Sequence, residues 1–121
     1  MSMNISIEEK NHVIFRRFSG EVCIDDMIQS WKEIFASYED LESYKGIVTS
    51  FLDAEIESND NNLNVMVEYL KQYLDRIKGM KVAIVMDTPK VTNTIIMNQK
   101  MKHLHIRPFS SEEAALEWID A

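Results

Sequence analysis

A short basic segment near the carboxyl end of the chain contains the residues best suited to binding chemistry. His103, His105 and Arg107 lie two residues apart, so on a β-strand all three side chains would project from the same face. Two imidazoles at this spacing could hold a metal ion, but the neighbouring cations repel one and no third ligand is evident. The set suits an anion better. The alternative is a solvent-exposed strand face without any ligand.

A second candidate site consists of Asp53, Asp87 and Thr88, which follow two apolar runs typical of buried strands. In open α/β sheets, ligands gather at the carboxyl ends of the strands. These residues would then line a crevice for a small ligand such as a nucleotide or a lipid. The alternative is structural, because an aspartate between a strand and a helix commonly caps that helix.

The sequence offers no support for an enzyme. Cys23 is the only cysteine, which excludes an internal disulfide and a cysteine-rich zinc site, and nothing places a base beside it. The chain has no glycine-rich phosphate loop, nucleophile elbow or metal-protease motif. We therefore expect no catalytic residues, no resident cofactor and no metal site.

Length and charge limit the remaining possibilities. The chain has 121 residues, of which 45% are hydrophobic and 27% charged, as in an ordinary globular protein, so we expect one domain over residues 1–121. A net charge of −7 disfavours nucleic acid as a partner. No apolar run is long enough for a membrane span and no signal peptide is evident, so we expect a cytoplasmic protein.

Hydrophobic patterning predicts the elements that position these residues. Strands are indicated at 5–8, 13–19, 47–52, 80–86 and 104–109, and helices at 27–37, 63–78, 87–102 and 111–120. Asp25 or Asp26 could cap the first helix, and Ser110 with Glu113 forms a capping box for the last one. Ala115, Trp118 and Ile119 would face the core. The order is ββαβαβαβα, which implies an α/β fold: a five-stranded, mostly parallel sheet with an antiparallel first strand and four helices.

The third predicted helix is apolar on nearly every side, which favours an interface with a second copy of the chain or with another protein. The alternative is deep burial of the whole helix. Charge is also divided along the chain, with a net charge of −6 over residues 39–60 and +6 over residues 76–107. Such a division could steer an oppositely charged partner, or could simply mark two solvated faces. The proposed interface residues are Lys90, Ile96, Met97, Lys100 and Met101.

The order, the length and three segments of the chain resemble the STAS-like group, also called SpoIIAA-like domains. The segments are "FSGEVCIDDMIQSWKEIF", "KVAIVMD" and "HIRPFSSEEAALEWI". The ending is also similar to that of stand-alone bacterial SpoIIAA-like proteins of uncharacterised role. The resemblance implies the fold given above and a domain that binds proteins, nucleotides or lipids rather than an enzyme.

The sequence departs from this family in one place. Anti-anti-sigma proteins carry an Asp-Ser-Ser-Gly type signature after the third strand, and a partner kinase phosphorylates its serine. Here the segment reads "FLDAEIESNDNNLNVM", and Ser58 lies among acidic residues that would repel a phosphate. Ser58 is therefore a weak candidate for phosphorylation. The resulting hypothesis is a non-catalytic interaction module that binds itself, as a homodimer, or a protein partner; the alternative is a small-ligand binding domain.

Overall fold

A single five-stranded sheet forms the centre of the protein. The structure, a computed structural model, describes residues 4–56, 60–77, 79–86 and 105–121. The spatial order of the strands follows their order in the chain, with β1 antiparallel to β2 and all other neighbours parallel. The predicted fold class is confirmed. The strands are β1 (Asn4–Lys10), β2 (Val13–Val22), β3 (Gly46–Ile56), β4 (Lys81–Val85) and β5 (His105–Phe109).

Helices cover both faces of the sheet. The helices are α1 (Ile24–Ser37), α2 (Asp60–Lys71), the single turn α3 (Leu74–Ile77) and α4 (Glu112–Asp120), and a short 3-10 helix spans Leu41–Ser43. The predicted second helix is thus divided by a turn at residues 72–73, and the predicted third helix lies outside the described residues. Among the helices that the structure describes, none is long and apolar enough to cross a membrane.

The core has a larger part on the face covered by α1 and α2, and a smaller part under α4. Along β2 and β3, successive side chains point alternately to the face covered by α1 and α2 and to the face covered by α4, as the two-residue period of a strand requires. Ala115 and Ile119 are buried in the second part of the core, and Trp118 packs against it as predicted but is only half-buried. The first part includes Ile14, Trp31, Ile34, Ile47 and Leu70, and the second includes Phe15, Val48, Val85, Ala115 and Ile119.

The cap of α1 differs from the predicted one. Cys23 is the N-cap residue, and its backbone N–H donates to the carboxylate of Asp26 at 3.0 Å. The Cys23 thiol lies 3.2 Å from the same carboxylate oxygen. Asp26 therefore supports the start of the helix from its third residue, and neither Asp25 nor Asp26 is the N-cap.

The cap of α4 is also shifted by one residue. Ser111, not Ser110, is the N-cap, and its Oγ accepts a hydrogen bond from the backbone N–H of Ala114 at 3.2 Å. The predicted box between Ser110 and Glu113 is wrong, because Ser110 precedes the cap and is exposed.

The two serines provide a matched test of this cap. Ser111→Ala is expected to lower the free energy of unfolding by about 1 kcal/mol, because one backbone donor at the start of α4 loses its acceptor. Ser110→Ala is expected to change it by less than about 0.5 kcal/mol, as exposed substitutions usually do. Urea denaturation of both variants measures the difference, and a larger loss for Ser110→Ala would contradict the assignment.

Candidate functional site

Most residues of the sites predicted from sequence lie outside the part of the chain that the structure describes. Three of them are described, namely Asp53, His105 and Arg107. The other nine residues lie outside the described ranges, namely Ser58, Asp87, Thr88, Lys90, Ile96, Met97, Lys100, Met101 and His103. The sites built on them stay predictions: the strand-end crevice for a nucleotide or lipid, the homodimer through the third helix and the phosphorylation site.

Asp53 does not end its strand. β3 is longer than predicted, because after a register irregularity between Arg17 and Ser19 its final residues continue to pair with β2. Asp53 pairs with Ser19 in this extension, three residues before the end of β3, and its side chain is exposed. The interpretation of Asp53 as a strand-end residue, in a crevice or at a helix cap, is therefore corrected.

His105 and Arg107 lie on the same face of β5, as the spacing predicts. They are in register with Lys81 and Ala83 of β4, and Ala83 is buried under α4. α4 contacts β3, β4 and β5, yet the side chains of His105 and Arg107 remain exposed at the edge of this face. The structure thus places two residues of the predicted anion site beside the terminal helix.

Aromatic rings and a lysine complete this surface. The Cζ atom of Arg107 lies 5.5 Å from the ring centroid of Trp118 and 5.9 Å from that of Phe109, and the two rings are 5.5 Å apart. The Nζ atom of Lys81 lies 5.5 Å from the Trp118 ring. Such contacts between a cation and an aromatic face are attractive and hold the cations in place. We call Lys81, His105, Arg107, Phe109 and Trp118 the cationic patch.

Lys81 and Arg107, the lysine and the arginine of the patch, differ in what they contact. The Nζ atom of Lys81 donates to the carbonyl oxygens of Trp118 at 2.9 Å and Ala121 at 3.2 Å, which stabilises the carboxyl end of α4. Arg107 forms no ion pair with any carboxylate of the described residues. Arg107 is therefore the cation of the patch that is available to an external anion.

The acidic segment predicted from the sequence does not form one surface. Glu39 and Asp40 precede β3 and lie at the amino ends of the parallel strands, whereas Asp53 and Glu55 lie in the carboxyl-terminal part of β3. All four side chains are exposed. The acidic charge is thus divided between two ends of the sheet.

Arg16 is a notable residue that reasoning from the sequence did not single out. It lies on the face of β2 that packs under α1, and only 3% of it is exposed. Its Nη1 atom donates to Ser30 Oγ at 2.9 Å, and its Nε and Nη2 atoms donate to Thr49 Oγ1 at 3.2 and 3.0 Å. The signal was present in the alternation of Ile14, Arg16 and Phe18, which places all three on one buried face.

The surroundings of Arg16 are apolar. Its Cζ atom lies 4.5 Å from the ring centroid of Trp31 and 5.4 Å from that of Phe18. Burial lowers the pKa of Arg16 to about 9. Arg17, the next residue, faces the other side, where hydrogen bonds to Glu112 and Glu8 raise its pKa. The two arginines therefore occupy opposite electrostatic environments.

The geometry contains no metal centre within the described ranges. In residues 4–56, 60–77, 79–86 and 105–121, no three histidine, cysteine or acidic side chains converge as metal ligands would. The chemistry available there is binding by cations and aromatic rings.

Comparison with known proteins identifies the fold. No protein-family model matches the chain, and no curated protein matches it either. Three solved structures are similar over nearly its whole length. One is an uncharacterised protein of the DUF3478 family with a SpoIIAA-like fold from Shewanella loihica, with a TM-score of 0.61 and 18% identity, covering 97% of this chain and 93% of that one.

The other two structures are anti-sigma factor antagonists. The one from Mycobacterium paratuberculosis has a TM-score of 0.63 and 16% identity, and covers 99% of this chain and 96% of its own. The other, SpoIIAA in its unphosphorylated form, has a TM-score of 0.61 and 10% identity, covering 98% and 99%. At these identities the likeness concerns the fold. Together with the observed strand order, it shows that this chain has the SpoIIAA-like fold.

Proposed function

We propose that this chain is a non-catalytic regulatory module that binds an acidic segment of a partner protein at the cationic patch. The observation that carries the proposal is Arg107, an exposed guanidinium held against Trp118 and Phe109 and left without a carboxylate among the described residues. Arginine and tryptophan are the residue types most enriched at the energetic centres of protein interfaces.

Charge favours a different protein over a second copy at this surface. In a two-fold dimer the same patch is present on both subunits, so Lys81 and Arg107 would meet their own equivalents. The chain as a whole also carries a net charge of −7, which opposes self-association. An acidic partner segment avoids the first of these obstacles, because its carboxylates would pair with Arg107 instead of facing a second set of cations.

The similar structures support a regulatory function by analogy. Two of them are described as anti-sigma factor antagonists, a name that denotes action on another protein. A shared fold does not assign a function by itself, so the function is inferred from the surface chemistry of the cationic patch.

Photo-crosslinking from the patch tests the proposal. A photoreactive benzoylphenylalanine is placed at His105 in the chain expressed in its own cells, and crosslinked peptides are identified by mass spectrometry. We expect a crosslinked peptide rich in aspartate and glutamate. The matched control carries the same group at Glu33, which is exposed on α1 on the other side of the sheet, and should not yield this peptide.

A charge reversal provides the second arm. Arg107→Glu is expected to lower the yield of the crosslink from position 105 by about tenfold, the effect of losing one ion pair at an interface and adding a repulsion. Circular dichroism checks that this variant is folded. An undiminished yield, an identical product from position 33 or a product consisting of two copies of this chain would contradict the proposal.

A further inference from the structure

Arg16 has hydrogen-bonding capacity that the described residues do not use. A guanidinium carries five N–H donors, and three of them are taken by the hydroxyls of Ser30 and Thr49. Thr49 Oγ1 accepts from Nε and Nη2, which lie on the same side of the guanidinium. The second N–H group of Nη2 therefore points away from Thr49, at the end of the guanidinium where Nη2 and Nη1 are adjacent. No acceptor for it is found in the described part of the chain. This end of a guanidinium is a common contact for the two oxygens of a carboxylate or phosphate.

The positive charge of Arg16 also has no carboxylate partner within residues 4–56, 60–77, 79–86 and 105–121. Both of its partners are neutral hydroxyls, and none of the described carboxylates pairs with it. Its neighbour Arg17, which is partly exposed, is paired with two carboxylates, those of Glu8 and Glu112. Burial of an arginine without a counter-ion is unfavourable, and a hydrogen-bonded anion offsets part of that cost. The pKa of about 9 leaves Arg16 protonated at neutral pH.

Arg16 belongs to a row of residues that crosses three strands of the sheet. Arg16 is in register with Thr49 of β3, and Thr49 is in register with Ile84 of β4. Thr49 is fully buried, but Ile84 is only half-buried, so the row becomes less covered as it crosses from β2 to β4. The least buried residue of the row is therefore Ile84, on the far side of Thr49 from Arg16.

We propose that Arg16 anchors an oxyanion-binding site in which a carboxylate or phosphate group accepts hydrogen bonds from the Nη1–Nη2 end of its guanidinium. Ser30 and Thr49 hold the guanidinium by three of its donors, and the rings of Trp31 and Phe18 lie against it. The site is internal and lies on the α1–α2 face, whereas the cationic patch lies on the α4 face, so either proposal can fail without the other.

Thermal unfolding with two probe anions tests this site. Inorganic phosphate and octanoate are added separately, with sodium chloride adjusted to keep the ionic strength constant. We expect at least one of them to raise the melting temperature of the wild-type protein, by about 5 °C once its concentration exceeds the dissociation constant about tenfold. A response to phosphate alone identifies a free oxyanion, and a response to octanoate alone identifies a carboxylate on an apolar chain.

Two arginine variants make the test specific. Arg16→Met removes the buried charge and keeps an unbranched side chain, so its melting temperature should not respond to the probe. Arg17→Met removes the neighbouring charge, which already has carboxylate partners, and should respond as the wild type does. An equal response of all three proteins, or no response of the wild type to either probe, would overturn the proposal.

A measurement on the wild-type protein covers the case in which Arg16→Met does not fold. Nuclear magnetic resonance observes the Nε–H groups of the four arginines, and the spectra of Arg17→Met, Arg76→Met and Arg107→Met identify three of the signals, so that the remaining one belongs to Arg16. Addition of the active probe is expected to shift the Nε–H signal of Arg16 and to leave that of Arg17 in place. An unchanged Arg16 signal at saturating probe would overturn the site.

Discussion

Trp31→Ala is expected to lower the free energy of unfolding by about 3–5 kcal/mol, the usual cost of removing a large aromatic side chain from a core. Trp31 is 2% exposed, and its ring stacks on Phe35 with a centroid distance of 5.7 Å. The same ring lies over the guanidinium of Arg16. Its loss would leave a cavity between α1 and the sheet and would remove the aromatic contact of a buried cation. Urea denaturation at equilibrium gives the difference.

The second tryptophan of the chain is the matched control. Trp118 is half-buried and contacts Phe109, Lys81 and Arg107 at the edge of the α4 face. Because less of its surface is removed from water, Trp118→Ala should cost about 1–2 kcal/mol. An equal or larger loss for Trp118→Ala would mean that the main core does not lie between α1 and the sheet.

Gly46→Ala is expected to destabilise the protein by about 3 kcal/mol, at the upper end of the range for overpacked sites. A Cβ atom at Gly46 would lie 2.5 Å from the carbonyl oxygen of Lys81 in the neighbouring strand, and 3.3 Å from Cδ1 of Ile119. The carbonyl belongs to the β3–β4 pairing, so it cannot move without disturbing the sheet. Thermal and urea unfolding measure the loss.

A substitution at a second glycine, Gly79, is the control that distinguishes this steric effect from backbone strain. Gly79 has a φ of +79°, and a Cβ atom placed there would meet no heavy atom of the described residues within 4 Å, so Gly79→Ala introduces strain but no collision. Its expected cost is about 1–2 kcal/mol, that of an alanine in the left-handed region. Shortening Ile119 to valine should not rescue Gly46→Ala, because the closer contact is the backbone oxygen. A rescue by that change would contradict the assigned cause.

The strands could be predicted because the apolar residues in their sequences are the ones that become buried. β4 is apolar on both faces, and such a run is typical of a central parallel strand, where the structure places it. The extension of β3 to Ile56 was missed because residues 53–62 are acidic and rich in asparagine, which favours a loop. Residues 53–56 pair with β2 only after a register shift at Arg17 and Ser19, and that pairing depends on the partner strand.

The helix N-caps and the buried arginine likewise could not be predicted from local sequence. Two adjacent serines precede α4, and local sequence does not decide which one is the N-cap. Cys23 is not a typical cap residue, so local sequence favours the aspartates that follow it as the start of α1. Arg16 and Arg17 are identical in type and adjacent. Only the packing of α1 against the sheet distinguishes the buried one from the partly exposed one.

The strand order has a consequence for how the protein is made. Each strand in the sheet neighbours the one synthesised just before it, so the sheet can grow on the ribosome by adding strands at one edge. α4 is the exception, because it follows all five strands in the chain and covers Val48 and Val85 of strands formed much earlier. The contact between Arg17 and Glu112 likewise joins residues 95 positions apart. A nascent chain in which α4 has not yet been made therefore presents an apolar sheet face to the cell, and the synthesis of α4 is what covers it.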